Sequence, residues 1–138
     1  MKKAYISLVC ILTLLNSCAW LHESEHQKIA GEYEVGWNDI ESNRAITKPI
    51  ENFDGGYHII VDGYVYAVGH NENYIIAKQH QSFETETNYY LIDIKKNSKD
   101  HSKGIYGPLN KIEFEKIKKE LNIQSINFDL NFNEKPNN

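Results

Sequence analysis

The sequence is short of the residues that define several protein classes. Among 138 residues it has two cysteines, three prolines and one methionine, and its 15 Lys and Arg are outnumbered by 19 Asp and Glu. Two cysteines cannot build a disulfide framework, and three prolines with eight glycines exclude a collagen-like or low-complexity chain. A net charge of −4 without a block of Lys or Arg excludes an electrostatic grip on nucleic acid or anionic headgroups. Catalytic signatures are missing too. Ser82, Ser98, Ser102 and Ser125 lie outside any Gly-x-Ser-x-Gly elbow, and no cofactor or metal site is expected.

Long apolar runs are also lacking. The longest, Ile6 to Leu15, is interrupted by Ser7, Cys10 and Thr13, whereas a membrane-spanning helix needs about 20 apolar residues. With Lys2 and Lys3 before it, the run has the layout of a secretory signal. It stops at Leu15-Asn16-Ser17-Cys18, which resembles the lipobox of bacterial lipoproteins: a leucine three positions before a cysteine, a small residue just before it, cleavage on the amino side and lipid on the thiol. Residues 1–17 are therefore expected to leave as a signal peptide, with Cys18 as the lipid attachment site. The mature chain loses two lysines and no acid, so it becomes more acidic, and Cys18 is its one cysteine. Several acyl chains hold a protein stably where a single chain does not. Ala19, in place of an Asp, resembles the enterobacterial pattern for sorting to the outer membrane, should the host be Gram-negative.

Residues 18–30 are polar and acidic and are expected to form a lipidated tether. A single domain is expected over 31–132, with 133–138 as a disordered tail. Tyr33 to Trp37 alternates with period two, and 44–48 is a further short strand ended by Pro49. Asp62-Gly63 between Tyr57–Val61 and Tyr64–Val68 predicts a two-residue hairpin turn. Residues 69–73 form another turn, and Tyr74–Gln79 and Asn88–Ile94 are strands. Leu109-Asn110-Lys111-Ile112-Glu113-Phe114 carries a capping box and hydrophobic staple, starting a helix to about Leu121 with Phe114, Ile117 and Leu121 on the dry side and Lys111, Glu115, Lys118 and Lys119 on the wet side. Gly107-Pro108 predicts a turn before it, and 127–132 alternates like a last strand. The fold class expected is α+β: an antiparallel meander of five to six strands packed by one C-terminal amphipathic helix.

Three segments taken together resemble a known family. Val68-Gly69-x-x-x-x-Tyr74-Ile75-Ile76-Ala77-Lys78-Gln79, then Tyr89-Tyr90-Leu91-Ile92-Asp93, then Tyr106-Gly107-Pro108-Leu109 followed by Glu113-Phe114, are similar to small bacterial lipoproteins catalogued as a domain of unknown function. The resemblance covers roughly residues 57–123. It implies a lipoprotein and domain limits, and it brings no activity and no catalytic residues.

His22 and His26, within His-Glu-Ser-Glu-His, have helical metal-ligand spacing but not the order of a zinc protease motif, and a solvated tether accounts for them. His58, His70 and His80 lie on or beside strands, where Asp62 or Asp93 could join one of them as a general acid–base pair. Tyrosine is the abundant element, nine in all. High β propensity accounts for many of them. Adjacent Tyr89 and Tyr90 must point to opposite faces, so some tyrosines are expected outside. Trp37, Tyr57, Tyr64, Tyr66, Tyr89 and Tyr90 are thus the candidate binding surface. The expectation is an uncharacterised, non-enzymatic, lipid-anchored cell-envelope protein. It would be held to the membrane through its lipid and would bind another envelope protein or a cell-wall component. The alternatives are a small hydrolase with a His/Asp site and an inhibitor of a secreted enzyme.

Overall fold

Strand periodicity in the first half of the described chain produces one antiparallel sheet and in the second half another. The computed structural model describes residues 24–80 and 86–132. The expected signal peptide, Cys18, His22, the first part of the expected tether and the expected tail lie outside them. β1 (Ser24–Ala30), β2 (Tyr33–Asn38), β3 (Ala45–Pro49) and β4 (Tyr57–Val61) form the first sheet in that order. β5 (Val65–His70), β6 (Tyr74–His80), β7 (Thr87–Asp93), β8 (Ile105–Leu109) and β9 (Leu130–Asn131) form the second, in the order β8-β7-β6-β5-β9. Two α-helices, α1 (Ile94–Lys99) and α2 (Lys111–Glu120), complete the described chain. The antiparallel α+β class is as expected. Nine strands in two sheets replace the single sheet of five or six.

Four expectations are corrected. Residues 24–30 are an edge strand rather than tether: β1 pairs with β2 from Ser24↔Asn38 to Ala30↔Tyr33 and buries only Ile29. An edge strand with one face in water can be as polar as a tether, so composition hid it. The Asp62-Gly63 hairpin does not form. Asp62 Oδ1 accepts the Gly63 amide at 2.8 Å, Tyr64 takes the positive φ of 64°, and the Tyr64 and Val65 amides donate to Ser42 and Arg44 carbonyls at 3.0 Å. The turn at residues 41–43 thereby captures the chain and sends β5 into the other sheet. Gly107-Pro108 is not a turn before the helix but lies inside β8, an edge strand where a missing donor is tolerated. Gly107 has φ +152°, and a Cβ there would collide with the Tyr90 ring. Lys118, assigned to the wet side, is buried: its Nζ donates to the Ile126 carbonyl at 3.0 Å and lies 5.5 Å from the Phe114 ring centre.

The second sheet is the middle layer. Val65, Val68, Ile75, Ala77 and Ile92 meet Tyr33, Val35, Ile46 and Val61 of the first sheet. Ile76 and Leu91, on its other side, meet Phe114 of α2 and the returning residues Ile123 and Ile126. Burial on both faces explains why Tyr74-Ile75-Ile76-Ala77 is continuously apolar. The capping box holds as the spacing requires, with Asn110 Oδ1 accepting from the Glu113 amide at 3.0 Å and Glu113 Oε2 from the Asn110 amide at 2.9 Å.

Asn97 of α1 is completely buried and joins the layers. Its Oδ1 accepts from the Tyr33 hydroxyl at 2.7 Å, and its Nδ2 donates to the His101 and Lys103 carbonyls at 2.9 and 2.8 Å. Burial, with added repulsion from Glu32 and Asp93, pushes the Tyr33 phenol up to about 12. Asn97→Ala is expected to lower the unfolding free energy by about 2–4 kcal/mol and Tyr33→Phe by about 1–2 kcal/mol, because each leaves buried polar groups unpaired. The wild type loses stability as pH rises from about 10 towards about 12, since the unfolded chain releases the Tyr33 proton first. Tyr33→Phe removes that part of the alkaline slope. Urea unfolding of the three proteins across this pH range measures both effects.

Candidate binding face

The middle layer is covered on both sides, so the solvent-facing sheet surface is the outer side of β1–β4. Alternation along β2 and β3 sends Val35 and Ile46 inward and leaves Glu34, Gly36, Ala45 and Thr47 on the outer side, where Glu34 pairs with Thr47 and Gly36 with Ala45. The register between β3 and β4 shifts at Ile60, so Ile60 and Val61 are both buried while Tyr57 and Ile59 remain 48% and 57% exposed. Small residues at the centre and larger ones around them leave a hollow.

Two adjoining cavities occupy it. One, of about 370 Å³, is lined by Gly36, Trp37, Asn38, Asp39, Asn43, Ala45, Ile59 and Asp62. The other, of about 340 Å³, is lined by Glu34, Pro49 and the loop residues Phe53, Asp54, Gly55 and Gly56. His26, Thr47 and Tyr57 border both. Each falls in the size range of small-molecule or side-chain pockets. His26, opposite Gly36 in the β1–β2 register, is steered by Asn38 Oδ1 at 3.1 Å from its Nε2, with Glu34 at 4.0 Å from its Nδ1. The Trp37 indole Nε1 is buried and has no hydrogen-bond partner. Phe53, 66% exposed, stands at the rim.

The tyrosine set divides. Trp37 and Tyr57 reach this face. Tyr64 sits half-buried at the corner between the sheets. Tyr66 is buried, with its hydroxyl 2.7 Å from Thr87 Oγ1 and its ring stacked on His80 at 4.6 Å. Tyr89 and Tyr90 do point to opposite sides, but both sides are covered: Tyr89 stacks on Phe114 at 4.8 Å, and Tyr90 packs into the core between the sheets. Burial raises both phenols above their ordinary value, helped by Glu115 and Asp62 respectively. Alternation alone shows that two neighbours part company, not how many layers await them. His26, Asn38, Asp39, Asn43, Thr47, Phe53 and Ile59 are cleft residues that the sequence reading missed. Recognising β1 as a strand would have recovered His26.

The histidines and aspartates proposed for hydrolysis are seen with other neighbours. His58 stacks on His101 with centroids 4.0 Å apart, and the buried His80 has Nδ1 3.0 Å from the Glu86 carbonyl oxygen. Exposed His70 borders a cavity of about 500 Å³ between two turns, with Ala30, Gly31, Asn71, Glu72 and Ile94. Asp93 caps α1 by accepting the Lys96 amide at 3.0 Å and pairs with Lys96 Nζ at 3.3 Å, and Asp62 is bound to Gly63. Among the described residues no three His, Cys, Asp or Glu side chains converge to hold a metal, and no helix is long and apolar enough to cross a membrane.

The chain belongs to the family described as "Protein of unknown function (DUF3997)", whose profile matches residues 30–133. The match contains the three resembling segments and extends beyond them at both ends. No curated protein and no solved structure matches the chain.

A Cβ at Gly36 would strike the Glu25 carbonyl and lie 2.6 Å from His26 Nδ1, both on β1. Gly36→Ala is therefore expected to cost about 1–3 kcal/mol and to loosen β1 selectively. Hydrogen exchange should accelerate at residues 24–30 and stay unchanged in β5–β7. Equal protection of β1 in both proteins would show that the hollow does not depend on a bare position at 36.

Proposed function

We propose that this member of the family is a lipid-anchored, non-catalytic binding module of the bacterial cell envelope, and that it works through the outer face of its four-stranded sheet. The observation that carries the reading is the pair of adjoining cavities on a solvent-facing sheet whose apolar neighbours Phe53, Tyr57 and Ile59 stay exposed. Soluble domains rarely leave such residues grouped without a use for them. The lipobox at Cys18 supports the anchor. Only residues 19–23 separate Cys18 from the first residue of β1. Whatever path they take, six residue steps span at most about 20 Å. The lipid would thus hold the start of this edge strand within about 20 Å of the bilayer, and His26, two residues further on, within about 28 Å, on the outer membrane in a Gram-negative host. Its partner is an envelope protein or cell-wall component within that reach.

Labelled palmitate should enter the wild type and not Cys18→Ala, which should also leave the membrane fraction. Light crosslinking of living cells should recover a companion that Tyr57→Ala with Ile59→Ser reduces about tenfold, a loss of about 1.4 kcal/mol, while circular dichroism stays unchanged. Unlabelled Cys18 would refute the anchor. Undiminished recovery from the doubly substituted protein would refute the face.

A further inference from the structure

The first sheet distributes its charges unequally between its two sides. Arg44 and Lys48, its buried bases, are both satisfied away from the cleft: Arg44 pairs with Glu41 at 2.8 Å and lies 4.2 Å from the Phe132 ring centre, and Lys48 pairs with Glu32 at 3.5 Å. Asp39, Asp54, Asp62 and Glu34 line the two cavities, and no Lys or Arg does. Lys28, opposite Glu34 in the register, shares the face but borders neither cavity. Among the described residues, Asp39, Asp54 and Asp62 have no basic partner. Between these carboxylates stand the exposed surfaces of Tyr57, Ile59 and Phe53.

Resting on the binding-module reading, we propose that the cleft takes a basic peptide segment, with Lys or Arg side chains entering the two cavities and apolar residues covering Tyr57 and Ile59. Charge complementarity selects the cation: a phosphate, carboxylate or nucleic acid would face four acids and no fixed base. Aromatic rings beside the acids add to the attraction for a guanidinium or ammonium. A neutral glycan could stack on the rings, but it would leave the carboxylates uncompensated.

The test uses the lipidated full chain in phosphatidylcholine vesicles, with empty vesicles as blank. A fluorescein-labelled Gly-Lys-Leu-Lys-Gly peptide is followed by anisotropy against its Gly-Glu-Leu-Glu-Gly counterpart, with chitotetraose as competitor. The lysine peptide should bind and the glutamate peptide should not. Its affinity should fall about tenfold between low and physiological-to-high salt. Asp39→Asn with Asp62→Asn should weaken it about five- to tenfold with unchanged circular dichroism, a loss of about 1–1.4 kcal/mol. Equal binding of both peptides, or salt-insensitive displacement by chitotetraose, would overturn the basic-peptide assignment while leaving the face a binding site. Failure of every probe would also overturn the assignment. The crosslinking of Tyr57→Ala with Ile59→Ser then decides separately whether the face binds anything.

Discussion

Much of the molecule hangs on the side-chain amide of Asn97. A completely buried amide has two donors and an acceptor to satisfy, and leaving any one unpaired costs about 1–3 kcal/mol. Asn97 spends its acceptor on Tyr33, which belongs to the first sheet, and its donors on the His101 and Lys103 carbonyls, which belong to the segment leading into β8. One side chain thus ties the outer sheet to the edge of the middle one. The same segment carries His101, stacked on His58 of β4. Apolar contact between two sheets tolerates sliding, whereas a directed three-bond node does not. The node therefore fixes where the first sheet sits on the second.

That placement decides which aromatic residues are available outside. The middle sheet lies between the first sheet and α2, so tyrosines from β5 and β7 are drawn inward whichever way they point. Among the described residues the first sheet is the layer with a free side. It is also the layer whose register slips at Ile60, turning two consecutive residues inward and leaving Tyr57 and Ile59 outside. The cleft arises from a covered layer elsewhere and a bulge here, and neither is a property of any single residue.

Much of this was legible before the structure. The α2 capping box is local chemistry, set by the Asn110 and Glu113 spacing, and it formed as spelled. Strands β2, β6 and β7 announced themselves by alternation or by apolar runs. The failures share a physical cause: each was decided by a partner distant in sequence. Asp62-Gly63 has the composition of a tight hairpin, but the carbonyls of Ser42 and Arg44 take the amides that follow and turn a hairpin into a crossing between sheets. Residues 24–30 lack an apolar stripe because an edge strand needs only one buried anchor, Ile29. Lys118 reads as solvated until Ile126 folds back and its carbonyl accepts the ammonium's hydrogen bond. The cleft was half visible. Trp37 and Tyr57 were among the named aromatics, but nothing local in Asn38, Asp39 or Phe53 marks them as neighbours across a sheet and a loop.

The hollow itself follows from what its centre omits. Glycine inside a strand weakens it, by roughly 0.5–1 kcal/mol relative to alanine, and Gly36 sits opposite Ala45, so the middle of the face holds almost no side chain. The space is partly reclaimed from the side by the His26 ring, which no larger residue at 36 would admit. Around that floor, Trp37 and Asn38 come from the end of β2, Asp39 and Asn43 from the turn after it, and Tyr57 from β4. The Phe53 loop closes the far end. Where a sheet gives up packing at its centre yet keeps long side chains around the rim, the fold has accepted a local loss in exchange for a concave surface. Among the described residues that surface lies on the uncovered face of the first sheet, beside β1, the strand through which the chain enters the domain.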